Sequence, residues 1–320
     1  MPELDQRDLI AASKLPKISN SILRNAIQSI PHDVISKNDL FDSVERLSEL
    51  ENIDHTIEEN AYSQADKIIS ESENLGIKIL TYYDQHYPPL LKKIPDFPAL
   101  LYYKGDGKNL YEKTKIAVVG SRKASSLGIQ IAGIISSHLS DLNYCVVSGL
   151  ASGIDAASHA AALERPGNTV AVMAHGLDMV YPKQNQDLAE NILANNGTIL
   201  SEYHIGIKPQ KHQYVQRNRI QSGISHASVV VESSDTGGTM YQGPLTKKQK
   251  RALFVVSPEL QRGKKERFNY TGAIKLVNEF DATAVDSKEE LISQIELLQD
   301  DVEMIKGKSS LNQPTQLELF

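Results

Sequence analysis

Between positions 114 and 260 short apolar runs recur: KIAVVG, NYCVVSG, TVAVMAHG, GTILSEY, ASVVVESS and ALFVVS. Segments of helical periodicity or length lie between them, among them GIQIAGIISSHLSDL and NQDLAENILANN. A run that is apolar at consecutive positions, rather than at alternate ones, belongs to a strand buried on both faces. Such strands alternating with helices predict a parallel sheet covered on both sides. Crossovers between parallel strands are right-handed, so the expected architecture is α/β, a doubly wound and mostly parallel sheet of about six strands. Its binding crevice should open beyond the carboxyl ends of those strands.

The flanks read differently. Residues 1–75 are polar and helical in pattern, a small helical domain. SNSILRNAIQSI puts Ile22, Leu23, Ala26, Ile27 and Ile30 on one face, with Ser19 or Asn20 as N-cap and Pro31 ending the run. Residues 76–113 carry Pro88, Pro89, Pro95 and Pro98, which forbid long helices, so this stretch reads as an extended connector packed on the core. Residues 114–300 hold the sheet domain, with a last strand-like or helical appendage from 268 on, and 301–320 read as a flexible tail.

Composition narrows the function. The chain has 320 residues, 40% hydrophobic and 23% charged, with a single cysteine and a formal net charge of -6. That is an ordinary make-up for a soluble domain. No apolar run approaches the roughly 20 residues that span a bilayer. The acidic N-terminus lacks the order of a signal peptide, so a cytoplasmic location without a membrane partner is expected. Cys145 sits in an apolar run and reads as a core residue. An acidic total disfavours a general polyanion binder, because non-specific nucleic-acid affinity is largely electrostatic. Against that background KPQKHQYVQRNR stands out. It carries Lys208, Lys211, Arg217 and Arg219 around His212 and Tyr214, with no carboxylate. A local cluster of cations with an interleaved ring fits an anionic ligand, single-stranded nucleic acid best.

The strand ends are where chemistry should sit. The first strand leads into Gly120-Ser121-Arg122 and a helix beginning near Ser126, where free N–H groups, a hydroxyl and a guanidinium favour an anion. The turn is not a G-x-G-x-x-G, and the second strand ends at Ser148-Gly149 with no acid to hold a ribose diol. In SGLASGIDAASHAAAL, Asp155 and His159 stand i,i+4. They are either an acid–base pair or, as the pattern favours, a capping aspartate and a packing histidine. The third strand leads to Lys183 behind Pro182, and the fourth to Ser201-Glu202-Tyr203 ahead of the basic run. The fifth leads to Glu232 and on to Thr236-Gly237-Gly238-Thr239, whose paired glycines form a concavity for phosphate. No metal-ligand spacing, Walker A lysine or nucleophile elbow is present, so no metal or cofactor is expected.

At these motifs the chain resembles the DNA-processing protein A family (DprA, also called Smf). DQHYPPLLKKIPDFPALLYYKGD, AVVGSR, SGLASGIDAASHAAAL, GLDMVYPKQN, SEY, QRNRIQSGIS and VVVESSDTGGTM follow in that family's order over residues 76–285. The resemblance implies an extended Rossmann-like domain that binds single-stranded DNA, dimerises and helps load a RecA-type recombinase in natural transformation or related DNA recombination, with no catalytic turnover. By motif, Arg122 should contact phosphate, with Lys183 and Lys211 lining the same groove. Arg217, Asn218 and Arg219 match the Arg-Asn-Arg signature, part of which can brace the sheet instead. Tyr214 stands where phenylalanine is usual, and a ring there stacks on a base for about 1–3 kcal/mol. With the turns Gly120–Arg122, Ser148-Gly149 and Thr236–Thr239, these are the expected DNA-binding residues. Ser152 replaces a frequent arginine, Val215 replaces a proline, YQGPLTKKQKRALFVVSPE is rearranged, and the family's C-terminal winged helix has no counterpart.

The chain ends in Gln316-Leu317-Glu318-Leu319-Phe320. This is similar to the bacterial sliding-clamp-binding motif, in which Gln316 would fix orientation while Leu317, Leu319 and Phe320 fill a hydrophobic pocket. The expected function is a non-catalytic, dimeric single-stranded-DNA-binding protein tethered to the clamp. One alternative is a nucleotide-base phosphoribohydrolase, against which TGGTMYQGP offers Gln242 where that enzyme pattern needs an acid. Another is a nucleotide or DNA sensor of a defence system.

Overall fold

A computed structural model of the protein describes residues 4–30, 36–48, 53–164, 169–261 and 267–298. Four helices come first: α1 (Gln6–Lys14), α2 (Asn20–Ser29), α3 (Lys37–Ser48) and α4 (His55–Asn74). Each begins where a capping side chain meets an amphipathic run. The Asp5 carboxylate accepts from the Asp8 N–H at 2.9 Å at the start of α1, and the Ser19 hydroxyl from the Ile22 N–H at 3.3 Å at the start of α2. The apolar face of α2 buries Leu23, Ala26 and Ile27, with Ile30 just beyond.

The rest of the chain builds a nine-stranded sheet. Its strands are β1 (Lys78–Thr81), β2 (Leu100–Gly105), β3 (Lys115–Val119), β4 (Cys145–Ser148) and β5 (Thr169–Val172), then β6 (Thr198–Ser201), β7 (Ala227–Val230), β8 (Ala252–Val256) and β9 (Thr283–Val285). The spatial order is β1-β2-β6-β5-β4-β3-β7-β8-β9. The seven strands from β6 to β9 are parallel, and β1 and β2 extend the sheet antiparallel. Two differences from the sequence expectation follow. The parallel part gains β9 from the appendage. The connector does more than pack, because β2 pairs with the edge of β6, Tyr102 opposite Ser201, and satisfies backbone groups that would otherwise face water.

Helices α5 (Ser126–Asp141), α6 (Ile154–Leu163), α7 (Gln186–Ala194), α8 (Lys211–Ile224), α9 (Gln242–Lys248) and α10 (Thr271–Phe280) cover the sheet, and residues 288–298 are helical. Strand residues alternate between the two layers. Ile116, Val118, Val146 and Val229 face α5 and the helix at 288–298, whereas Ala117, Cys145, Val147 and Val170 join the opposite cluster. That second cluster is continuous with α1 to α4 through Leu9, Ile10, Leu23 and Ile27, so the N-terminal helices share the core of the sheet. Burial pushes the Cys145 thiol up to about 12, which leaves it a neutral core residue.

β3 has β4 on one side and β7 on the other, and the chain winds outward in both directions from it. This reversal is the switch point at which a doubly wound sheet opens a crevice. The turns after β3 and β7, which carry Gly120–Arg122 and Glu232–Thr239, meet there.

Candidate nucleic-acid interface

The switch-point crevice is closed from within. Glu232, after β7, is buried, and its carboxylate accepts from the Ser125 N–H at 3.0 Å and the Ser125 hydroxyl at 2.8 Å. Ser125 caps α5 in turn, accepting from the Gly128 N–H at 3.0 Å. The Ser121 N–H donates to the Glu232 carbonyl at 2.7 Å, and the Ser121 hydroxyl accepts from the Lys123 N–H at 3.2 Å. The Ser121, Ser125 and Gly128 N–H groups around the start of α5 are therefore engaged by the protein, with a resident carboxylate at the positive end of the helix. The sequence shows Glu232 only as one more polar residue at a strand end, 107 positions from the serine it binds.

The turn after β4 is also pulled inward. Ser148 is fully buried, its hydroxyl donating to the Val118 carbonyl at 2.7 Å, and the Gly149 N–H donates to the Asp155 carboxylate at 3.1 Å. Asp155 does not pair with His159. His159 Nδ1 meets the Thr169 hydroxyl at 2.7 Å, and that hydroxyl donates to the Val146 carbonyl, so Thr169 takes the imidazole N–H. Burial raises the Asp155 pKa against the nearby Arg217 charge, and drops that of His159 to about 3. His159 packs, as the favoured sequence reading had it, whereas Asp155 sits inside α6 behind Gly153 and ties down the preceding turn instead of capping the helix.

The basic run divides by helical phase. On α8, Gln213, Arg217, Ile220, Gln221 and Ile224 face inward, while Lys211, His212, Val215 and Gln216 face solvent. Arg217 is 4% exposed, and its guanidinium donates to the carbonyls of Gly149, at 2.9 Å, and Val172. Arg219 forms a buried ion pair with Glu202. Both were expected to line the groove. Both spend their charge inside the fold, fastening α8 to the carboxyl ends of β4, β5 and β6. Ser148 and Gly149 are corrected in the same way, from ligand-facing to internal. Asn218 lies between the two arginines, half-buried, with its Nδ2 3.5 Å from the Gly238 carbonyl, and so joins α8 to the Thr236–Thr239 turn. Thr236 and Gly238 of that turn are exposed and Gly237 and Thr239 half-buried.

What remains on the outside is a closed circuit of contacts at the carboxyl-end rim. Arg122 is exposed, with its guanidinium carbon 4.8 Å from the centre of the Tyr214 ring. The Tyr214 ring lies 6.4 Å from that of Tyr181, tilted by 50°. Beyond Pro182, Lys183 is exposed, and Gln184 donates to the Ser152 hydroxyl at 2.6 Å. Next to Ser152, Gly153 (φ +79°) returns the chain to Arg122, and a Cβ there would lie 2.3 Å from the Ser121 carbonyl oxygen. Lys211 and His212 open α8 with no acid in its first turn. A cation such as Lys211 at a helix N-terminus opposes the macrodipole, at a cost of about 0.3–1 kcal/mol that a bound anion would relieve. Tyr181 was not among the expected residues. Its only signal in the sequence is an aromatic beside Lys183 in a proline turn.

Gln242, the residue closest to an enzymatic acid in the competing pattern, is buried, and its Nε2 donates to the Ser228 hydroxyl at 3.2 Å. Among the described residues no helix is long and apolar enough to cross a membrane. Residues 316–320 lie outside the described residues.

Comparisons with known proteins agree with this frame. The family model for DNA recombination-mediator protein A matches residues 78–296. The DNA processing protein DprA of Bacillus subtilis is 35% identical over 202 residues, covering 63% of this chain and 68% of its own length. Protein Smf of Synechocystis is 35% identical over 225 residues, covering 67% of this chain and 56% of its own length. The X-ray structure of DNA processing protein A from Streptococcus pneumoniae superposes with a TM-score of 0.74 at 28% identity, covering 91% of this chain and 98% of that one. The Helicobacter pylori protein, whose structure describes a single-stranded DNA binding mode, gives 0.60 at 26% identity, covering 70% of this chain and 96% of that one. Motif order, sheet topology and these matches converge: the chain belongs to the DNA recombination-mediator protein A family, the DprA/Smf proteins.

Proposed function

We propose that this protein is a non-catalytic binder of single-stranded DNA that grips the strand on the carboxyl-end rim of its sheet. The observation that carries the reading is the rim itself. Arg122 stacks on Tyr214, exposed Lys183 flanks the same ring cluster, and α8 opens with Lys211 and His212 where its own dipole favours an anion. Phosphates would run past Arg122, Lys183, Lys211 and the Thr236–Thr239 turn, with a base on Tyr214. The relationship to DprA proteins, and the strand-binding Helicobacter pylori relative, support it.

The proposal extends to partners. The protein works as a homodimer that delivers DNA to a RecA-type recombinase. Self-association suits Ile274 and Val277, which are 46% and 38% exposed on one side of α10. The tail residues Gln316, Leu317, Leu319 and Phe320 tether it to a sliding clamp, and a pull-down with purified clamp that proceeds equally well without residues 316–320 would remove that part. The strand-binding core is tested by a filter-binding salt titration with single- and double-stranded DNA. Affinity should be nearly independent of base sequence and fall steeply with salt. Unchanged affinity for oligothymidylate after Arg122→Ala with Lys211→Ala would overturn the groove assignment.

A further inference from the structure

We propose that Tyr181 is a second base-stacking ring of this rim, and that with Tyr214 it admits two neighbouring bases only when they are unstacked from each other. The inference rests on the strand-binding reading above and adds to it the feature that distinguishes a single strand from a duplex.

Tyr181 is 51% exposed, a large ring held in water beside exposed Lys183. Its turn is anchored rather than loose. Val180, one residue before it, packs on the core, Gln184 donates to Ser152 at 2.6 Å, and the Asn185 side chain donates to the Leu150 carbonyl at 2.8 Å. The ring is therefore presented by fixed backbone. It stands 6.4 Å from the ring of Tyr214. Bases stacked in B-form DNA rise by only about 3.4 Å per step along a strand. Two bases seated one on each ring would be tilted by about the same 50° as the rings and could not keep a parallel stack, a geometry open to a flexible strand and closed to a stacked duplex. Arg122 on Tyr214 places a cation beside one ring, and exposed Lys183 follows Tyr181 by two residues, so charge for the intervening phosphates is close to both.

Four measurements test this. Tyr181→Leu keeps apolar bulk without a stacking face and should weaken oligothymidylate binding about 5- to 100-fold, while Tyr181→Phe should bind as the wild type does. An abasic oligonucleotide of the same length should bind weakly to the wild type and lose nothing more with Tyr181→Leu. The chain has no tryptophan, so Tyr181→Trp supplies a single tryptophan whose emission can be excited apart from the tyrosines. Its emission should be quenched by single strands and not by duplex. Thermal melts confirm that the variants are folded. Equal loss on normal and abasic oligonucleotides would assign Tyr181 a structural role and overturn the proposal, as would an unquenched tryptophan. If Tyr181→Leu binds normally while Arg122→Ala with Lys211→Ala weakens binding, the stacking role falls and the groove stands. If neither change matters, the groove reading falls and takes this inference with it.

Discussion

Arg217 and Gly149 are joined by a 2.9 Å hydrogen bond from the guanidinium to the carbonyl oxygen, and the contact leaves no space for any other residue in the turn: a Cβ on Gly149 would lie 2.0 Å from Arg217 Nη1. The arginine also reaches the Val172 carbonyl and faces the buried Asp155. Arg217→Ala therefore strands two carbonyls and a buried carboxylate. It should cost about 3–5 kcal/mol in urea unfolding. Lys211→Ala, exposed on the same helix, should stay within about 0.5 kcal/mol of the wild type.

Exposed and buried cations should separate again in DNA binding. Lys211→Ala and Lys183→Ala should each reduce the slope of log affinity against log salt by about 0.7, the counterion released per phosphate contact on a single strand. Arg219→Lys should leave that slope unchanged, because Arg219 is occupied by Glu202.

Much of the fold is legible in the sequence because strands buried on both faces leave a signature in consecutive positions. The runs at β3 to β8 do so, and they put the turns at Gly120 and Thr236 beyond the carboxyl ends of their strands; which two strands flank the switch point becomes visible only in the strand order. The fate of the basic run is harder to see, since composition does not tell which side of a helix meets the sheet. A helical phase does: Arg217 shares its face with Ile220 and Ile224, an inward signal that the charge obscures. β1 and β2 are masked by the proline-rich loop between them. The engagement of Glu232 with Ser125 depends on the closed fold and has no local sign.

Glu232→Ala should expose that engagement. Losing the acceptor for the Ser125 N–H and hydroxyl at the start of α5 should destabilise the protein by about 1–2 kcal/mol, read as a lower urea midpoint.

Tyr214→Phe should act in the other direction. The Tyr214 hydroxyl is buried with no hydrogen-bond partner among the described residues. Removing it should leave oligothymidylate affinity intact and raise stability by on the order of 1 kcal/mol.

Acid should unfold the protein partly through His159. Its imidazole titrates near 3 in the fold and near 6.5 once released. Between those values the unfolded chain holds the extra proton. The stabilisation is thus complete above 6.5 and is lost as pH falls towards 3, by at most about 1.4 kcal/mol per pH unit. His204, lowered by burial to about 4, adds to the same slope. Thermal midpoints measured across this window should flatten in His159→Gln.

The carboxylate of Glu232 has one more consequence. A recessed pocket at the switch point could recognise the end of a polymer, because only a terminus can be threaded into it. With that recess occupied by the protein's own acid, the strand proposed to lie on the rim would be held along its length and not by an end. On that reading a closed circle of single-stranded DNA should be held as well as a linear one.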